Sequence, residues 1–150
     1  MIRAAFSYAR TPRRTSGRQS FRLTSPACAP SFGSVQHVIL VVDDNEDAAD
    51  ALADFLRLAG HQVNVAYNGM CALARMRACR PDIILCDLGL PELSGYDFAR
   101  AVRREHAALV RLVAISGYSQ PDDVRRCLEA GFDAHVAKPA QAEEIARFLS

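Results

Sequence analysis

Short apolar runs alternate with longer, helix-like segments from His37 to the C-terminus, with few residues between them. This alternation is typical of a parallel β-sheet whose strands are connected by crossover helices. The apolar runs predict five strands, at 38–42, 62–66, 82–86, 111–115 and 134–136. The helix-like segments are 46–59, 69–78, 96–104, 121–130 and a last one that begins at about residue 142. The sequence therefore predicts an α/β fold with a doubly wound, five-stranded parallel sheet and five helices.

Several residues indicate where these helices begin and end. Asn45 is a favourable N-cap for the first helix, which Gly60 ends. Pro121 is tolerated in the first turn of the fourth helix, which Gly131 ends. The residues of the first helix that are predicted to face the core are Ala48, Leu52, Phe55, Leu56 and Ala59. Because half of the 150 residues are hydrophobic, one domain with a sizeable core is expected.

The first 36 residues differ from the rest of the chain in charge. They hold six arginines and no acid, whereas residues 37–150 carry eleven arginines and Lys138 against seventeen acids, so that +6 and −5 give the net charge of +1. Polar residues, proline and glycine are frequent in this segment and no periodicity is sustained, which predicts a disordered basic tail at 1–36 and a folded domain at 37–150. A mitochondrial transit peptide and a basic arm for nucleic acid are the functional interpretations, and a flexible leader is favoured over both.

The five cysteines predict neither a zinc site nor a complete set of disulfides. Their number is odd, and none belongs to a Cys-x-x-Cys pair. The expected compartment is therefore a reducing cytoplasm. No segment approaches the roughly 20 apolar residues of a membrane-spanning helix, and no membrane association is expected.

Charged residues follow three of the predicted strands. Asp43 and Asp44 come directly after the first strand, Asp87 follows the third and Lys138 follows the fifth. An Asp-Asp pair by itself would more often cap a helix, but the ends of parallel strands share one edge, where open α/β folds bind ligands. Three carboxylates at one edge repel one another, and Mg²⁺ is the most direct neutralising ion because it prefers oxygen ligands. Lys138 is the only lysine in the chain, which indicates that this position needs a flexible ammonium group.

These residues, in this order, resemble the receiver domain of the response-regulator family. The matching marks are the pair Asp43-Asp44, Asp87 with Pro91, Ser116-Gly117 and Lys138-Pro139. The similarity extends from about Val38 to the C-terminus. It implies the flavodoxin-like strand order 2-1-3-4-5 for the predicted sheet.

The resemblance also implies a magnesium-dependent phosphoacceptor. Asp87 is the implied nucleophile, which becomes an aspartyl phosphate, while Lys138 and the hydroxyl group of Ser116 stabilise the phosphoryl oxygens. Ser116 is in addition the implied switch residue, which moves toward the phosphoryl group. The implied metal ligands are Asp44 and Asp87 directly, the carbonyl oxygen of Gly89, and Asp43 through a water molecule.

Two residues depart from the pattern of the family. His135 stands where most members have an aromatic residue that changes rotamer with the switch, and Leu90 stands where methionine is common. A partly exposed structural histidine is the favoured interpretation of His135, and a role in the switch is the alternative. The change at Leu90 is a conservative apolar substitution.

The expected function is that of a phosphoacceptor response regulator in a two-component or phosphorelay system. A histidine kinase or a histidine phosphotransfer protein is the expected donor, and a homodimer formed on phosphorylation is among the assemblies considered. Only self-directed phosphoryl transfer and autodephosphorylation are expected, so the protein is not predicted to be an enzyme. Because no DNA-binding helix-turn-helix, cyclase or methylesterase domain follows Ser150, output is expected through another protein, a relay or a domain lost from this chain, without direct DNA binding.

Four alternatives are kept beside this function. A receiver-like interaction module that works without phosphorylation is the main one, and a detached receiver of a hybrid histidine kinase is the second. A phosphatase of small phosphates would need a second acid where the chain has Gly89. A flavin-binding relative would need a hydroxyl-rich loop after the first strand, where the chain has Asp43-Asp44-Asn45-Glu46.

Overall fold

The structure is a computed structural model and describes residues 35–106, 109–117 and 120–150. All but the last two residues of the tail predicted at 1–36 lie outside the described residues. Within this part of the chain, no helix has both the length and the apolar character that crossing a membrane requires.

The described residues form the alternating pattern that the sequence predicts. The strands are β1 (Val38–Val42), β2 (Gln62–Ala66), β3 (Ile83–Asp87), β4 (Arg111–Ser116) and β5 (Ala134–Ala137). The helices are α1 (Glu46–Leu58), α2 (Gly69–Cys79), α3 (Gly95–His106), α4 (Pro121–Ala130) and α5 (Ala142–Ala146). All strand pairs are parallel and the order in the sheet is β2-β1-β3-β4-β5. The predicted fold class and the predicted strand order are therefore confirmed.

Two apolar layers cover the two faces of the sheet. Alternate residues of the strands point to opposite faces, so that Leu40 of β1 packs in one layer and Ile39 in the other. The first layer includes buried residues of α2, α3 and α4, among them Phe98, which is fully buried. The second layer includes Leu56 of α1 and Ile145 of α5. Because helices cover both faces, the central strands are apolar on both sides.

The ends of the helices follow the predicted signals. Asn45 caps α1, since its side-chain oxygen accepts a hydrogen bond from the backbone N–H of Ala48 at 3.1 Å. Gly60 and Gly131 adopt φ angles of +97° and +111° after α1 and α4, a region that favours glycine. These caps fix where each chain segment turns back toward the sheet.

Most predicted boundaries agree with the structure to within one residue, and α3 extends two residues past its predicted end. The position of β3 and the buried face of α1 also differ from the prediction. β3 begins at Ile83 and ends at Asp87, one residue later than predicted, and the carboxylate of Asp82 just before it accepts a hydrogen bond from the backbone N–H of Val38. The buried residues of α1 are Ala49, Ala53 and Leu56. Of the five residues predicted to face the core, only Leu56 is buried, and Phe55 is 43% exposed.

Candidate functional site

The predicted site residues meet at the edge of the sheet where the strands end. Asp87 is the last residue of β3, while Asp43 and Asp44 follow β1 and Lys138 follows β5. One oxygen atom from each of the three carboxylates lies within 4.8 Å of the others. The structure thus brings together all three acids, although they are up to 44 residues apart in the sequence.

Lys138 supplies the positive charge of this acidic cluster. Its ammonium nitrogen lies 3.0 Å from Asp43 Oδ2 and 3.3 Å from Asp87 Oδ2. Both aspartates are buried, with 8% and 9% of their surface exposed, whereas Asp44 is exposed. Burial lowers the pKa of Lys138, but its contacts with Asp43 and Asp87 outweigh burial, and the pKa is raised overall. Lys138 therefore stays charged between the two carboxylates.

Backbone N–H groups hold the other oxygen of each buried aspartate. Asp43 Oδ1 accepts a hydrogen bond from the N–H of Asn45 at 2.9 Å, and Asp87 Oδ1 accepts one from the N–H of Gly89 at 3.3 Å. Each carboxylate is thus fixed at both oxygens, by a loop N–H on one side and by Lys138 on the other. The carbonyl of Gly89 as a metal ligand stays a prediction.

Ser116 lies beside this cluster, at the end of β4. It is 1% exposed, and its carbonyl oxygen accepts a hydrogen bond from the N–H of Lys138 at 2.7 Å. Its hydroxyl oxygen lies 2.8 Å from Nε2 of His135 on β5. This contact gives His135 a specific polar partner, which the interpretation as a merely structural histidine did not include.

The sequence did not reveal the close packing of Gly95 behind Asp87. A Cβ atom on Gly95 would lie 2.6 Å from the carbonyl oxygen of Asp87 and 2.8 Å from the Cα of Leu88. The N–H of Gly95 also donates to the carbonyl of Leu88. The first residue of α3 is therefore a glycine because α3 begins directly against the chain that carries Asp87. In the sequence, the only sign of this packing was the Ser94-Gly95 pair directly before the predicted helix at 96–104.

The donor atoms of the cluster fit a hard divalent cation. Three carboxylates offer oxygen ligands only, one of them exposed to solvent, and Mg²⁺ is bound in this way with several of its waters retained. The single ammonium group of Lys138 leaves an excess of negative charge among the four groups. Both the donor type and this excess favour a cation at the edge of the sheet.

A largely apolar groove lies next to the acidic cluster, between α1 and the segment that leads into α5. Its volume is about 640 Å³, and its lining includes Leu52, Phe55, Pro139 and Ile145 in addition to Lys138. The partial exposure of Phe55 and Leu52 is thus explained, because these residues line a groove and are not packed in the core. The groove opens directly beside the ion pair of Lys138 and Asp43.

Comparison with known proteins agrees with this fold. The family profile described as "Response regulator receiver domain" matches residues 39–150. The chain belongs to this family. As a receiver domain it is a module of two-component systems, and the resemblance noted in the sequence is confirmed.

The relatives found by sequence and by structure are regulators of the same kind. The chain is 37% identical over 107 residues to the "DNA-binding response regulator MtrA" of Mycolicibacterium smegmatis, which covers 71% of this chain and 46% of that protein. The chemotaxis response regulator CheY4 of Vibrio cholerae has a TM-score of 0.71 at 25% identity and covers 77% of this receiver and 97% of CheY4. The receiver domain of Ssk1, solved with the Saccharomyces cerevisiae histidine phosphotransfer protein Ypd1, has a TM-score of 0.73 at 25% identity, over 77% of this chain and 88% of the matched one.

The expectation of no direct DNA binding is wrong. It rested on the absence of a DNA-binding domain after Ser150, but the chain spans about half the length of the curated relatives that it matches. Several of these relatives are named DNA-binding response regulators. The end of the sequence was therefore no evidence about output.

Proposed function

We propose that this receiver accepts a phosphoryl group on Asp87, with Mg²⁺ held by Asp43, Asp44, Asp87 and the carbonyl of Gly89. The observation that carries the proposal is the position of Lys138, which lies within 3.3 Å of two buried carboxylates at an edge with three. A structural ion pair would need only one acid. A phosphoacceptor needs a nucleophilic carboxylate with fixed positive charge beside it.

The side chains of the site have distinct roles in the proposed transfer. An oxygen of the Asp87 carboxylate forms the new bond to phosphorus while the bond to the donor atom breaks, and the donor leaves with that electron pair. The N–H of Gly89 keeps the carboxylate oriented, and Lys138 pairs with a phosphoryl oxygen as negative charge develops there. The hydroxyl group of Ser116 donates a hydrogen bond to another phosphoryl oxygen. Asp43, Asp44, Asp87 and the carbonyl of Gly89 would hold Mg²⁺, which would supply positive charge that lowers the repulsion between donor and acceptor.

The groove beside the cluster is the proposed docking place of the donor protein. Its apolar lining at Leu52, Phe55 and Ile145 suits the apolar face of a partner helix. A phosphohistidine on such a helix would reach Asp87 from the side of Lys138. We therefore assign the donor as a histidine kinase or a histidine phosphotransfer protein of a two-component system.

The output and the compartment complete the proposal. By similarity to the relatives named DNA-binding response regulators, phosphorylation of this receiver controls the DNA binding of the protein to which it belongs. The only phosphoryl chemistry of the domain is its own phosphorylation and dephosphorylation. Among the described residues, Cys71, Cys79, Cys86 and Cys127 are free thiols, which favours the reducing cytoplasm.

The proposal is tested by phosphorylation with acetyl phosphate, measured by intact mass with Mg²⁺ and with EDTA. The wild-type protein should gain one phosphoryl group in Mg²⁺ only, and Asp87→Asn should gain none. Asp97→Asn is the matched control, because Asp97 is an exposed acid of α3 paired with Arg100, and it should behave as the wild type. An equal gain in Asp87→Asn would overturn the assignment. No gain from acetyl phosphate or from a cognate kinase would establish an interaction module that works without phosphorylation.

A further inference from the structure

Ser116 and His135 form a polar contact between the last two strands of the sheet. The distance from Ser116 Oγ to His135 Nε2 is 2.8 Å, which is that of a good hydrogen bond. Ser116 is buried and His135 is half-buried on β5, which is the edge strand. The same hydroxyl group has a role in the proposed transfer to Asp87.

The direction of this hydrogen bond depends on the imidazole. A hydroxyl group has one hydrogen, which it gives to a single acceptor, whereas its oxygen can accept from a donor at the same time. If Nε2 carries no hydrogen, Ser116 donates to it. If His135 is protonated, both ring nitrogens carry hydrogen and Nε2 donates to Ser116. Phosphoryl oxygens only accept, so they need the hydrogen of Ser116.

We propose that in the resting receiver Ser116 donates to Nε2 of His135, and that His135 and a phosphoryl group on Asp87 compete for this one hydrogen. His135 is thus a positioning residue that acts through Ser116. The inference rests on the proposed phosphorylation of Asp87. Protonation of His135 ends the competition, because the imidazolium donates at Nε2 and leaves the hydrogen of Ser116 to the phosphoryl group. By linkage, the phosphoryl group in turn favours the protonated form of His135.

The charged groups around His135 define the conditions of the test. Lys138 lies three residues further along the chain, and its raised pKa keeps it charged near neutral pH. On α4, which packs against β5, Asp123 is the charged residue among the half-buried positions. Ser116 is the contact from β4, and Asp87 lies at the shared strand edge. Carboxylates ordinarily titrate near pH 4, well below the pH range of the test, whereas that range includes the pH at which histidine side chains ordinarily change charge.

The test uses beryllofluoride with Mg²⁺, a mimic of the phosphoryl group on a carboxylate, on the same protein at pH 5.5 and at pH 8.5. The dissociation constant is measured for the wild type and for His135→Phe, which cannot accept the hydrogen of Ser116. At the higher pH, His135→Phe should bind about five-fold more tightly than the wild type, which corresponds to about one hydrogen bond. At the lower pH the two constants should agree. The change of their ratio with pH is the decisive quantity, because a steric effect of phenylalanine would be the same at both.

Three further measurements separate the possible outcomes. His106→Asn, which changes a histidine at the end of α3, should keep the pH dependence of the wild type, and Ser116→Ala should lose it. The ¹⁵N resonances of the His135 ring in the wild-type protein at pH 8.5 should show no hydrogen on Nε2. A ratio that does not change with pH, or a hydrogen on Nε2 in the free protein, would overturn the competition while leaving the phosphoacceptor intact. No beryllofluoride binding by any variant would instead overturn both proposals.

Discussion

Replacement of Lys138 by methionine tests the electrostatics of the acidic cluster. The ammonium group lies 3.0 Å from Asp43 and 3.3 Å from Asp87, and these two buried carboxylates have oxygens within 4.8 Å of each other. At an effective dielectric constant of about 20, two unit charges at that separation repel each other by about 3.5 kcal/mol. Without Lys138, no other described cation lies within 4 Å of either aspartate to offset this repulsion.

The measured loss should be smaller than this energy. About a third of the Lys138 side chain is exposed (36%), so solvent screens part of its interaction, and methionine avoids the desolvation of an ammonium group. We expect Lys138→Met to lose about 2 kcal/mol of unfolding free energy in EDTA, measured by urea denaturation. Arg100→Met is the matched control: its ion pair with Asp97 is exposed on both sides, and its loss should stay below about 0.5 kcal/mol.

A second substitution and the metal show whether repulsion is the cause. Adding Asp87→Asn to Lys138→Met should restore about 1 kcal/mol, because it removes one of the two repelling charges. Excess Mg²⁺ should stabilise Lys138→Met more than it stabilises the wild type, since the variant has no other cation at the cluster. The reasoning is refuted if Lys138→Met is as stable as Arg100→Met, or if Asp87→Asn destabilises it further.

Three more perturbations have definite expected outcomes. Gly95→Ala should lose about 2 kcal/mol of unfolding free energy and weaken beryllofluoride binding, because its Cβ would lie 2.6 Å from the carbonyl oxygen of Asp87. In Gly89→Ala the Cβ would lie 3.7 Å from Asp87 Oδ2, so the unfolding free energy should change by no more than about 0.5 kcal/mol. Urea denaturation compares the two variants. Asn45→Ala should lose about 1 kcal/mol of unfolding free energy, because the side-chain cap of α1 is removed. Its affinity for Mg²⁺ should stay that of the wild type, because the backbone N–H of residue 45 still donates to Asp43. A loss of Mg²⁺ binding in a titration would contradict this. The pKa of Lys138 is raised on folding, so its contribution to stability is present below the ordinary lysine pKa of 10.5 and is lost as the pH rises through the pKa of the folded protein. The difference in unfolding free energy between the wild type and Lys138→Met should therefore be constant from about pH 7 to 9 and shrink at higher pH.

The strands could be predicted because they depend on a short-range pattern, whereas their order was implied by the resemblance to the receiver family. β1 and β2 have the predicted boundaries. β1 is apolar along its whole length and ends at a pair of aspartates, whereas β2 alternates polar with apolar residues between the turn-forming Gly60 and Asn68. The ends of parallel strands share one edge, and this alone predicts that Asp43, Asp87 and Lys138 meet. Which charged residues form the cluster could therefore be predicted from the sequence.

Features that depend on packing between distant segments could not be predicted from the sequence. The helical spacing of α1 puts both Leu56 and Phe55 on a broad apolar stripe, and only the layer above the sheet decides that Leu56 is covered while Phe55 lines the groove. The contact of His135 with Ser116 depends on the register of β5 against β4 and on two side-chain rotamers. The absence of a DNA-binding motif could not predict the output, because that inference depended on where the sequence ends.

The phosphoacceptor role of Asp87 is tested most directly by chemical mapping of the modified residue. The protein is incubated with acetyl phosphate and Mg²⁺, treated with borohydride, which reduces an acyl phosphate to the alcohol, and digested for peptide sequencing by mass spectrometry. The account predicts homoserine at residue 87 and at no other aspartate, including the neighbouring Asp43 and Asp44. Homoserine at Asp43 or Asp44 with an unchanged Asp87 would contradict it.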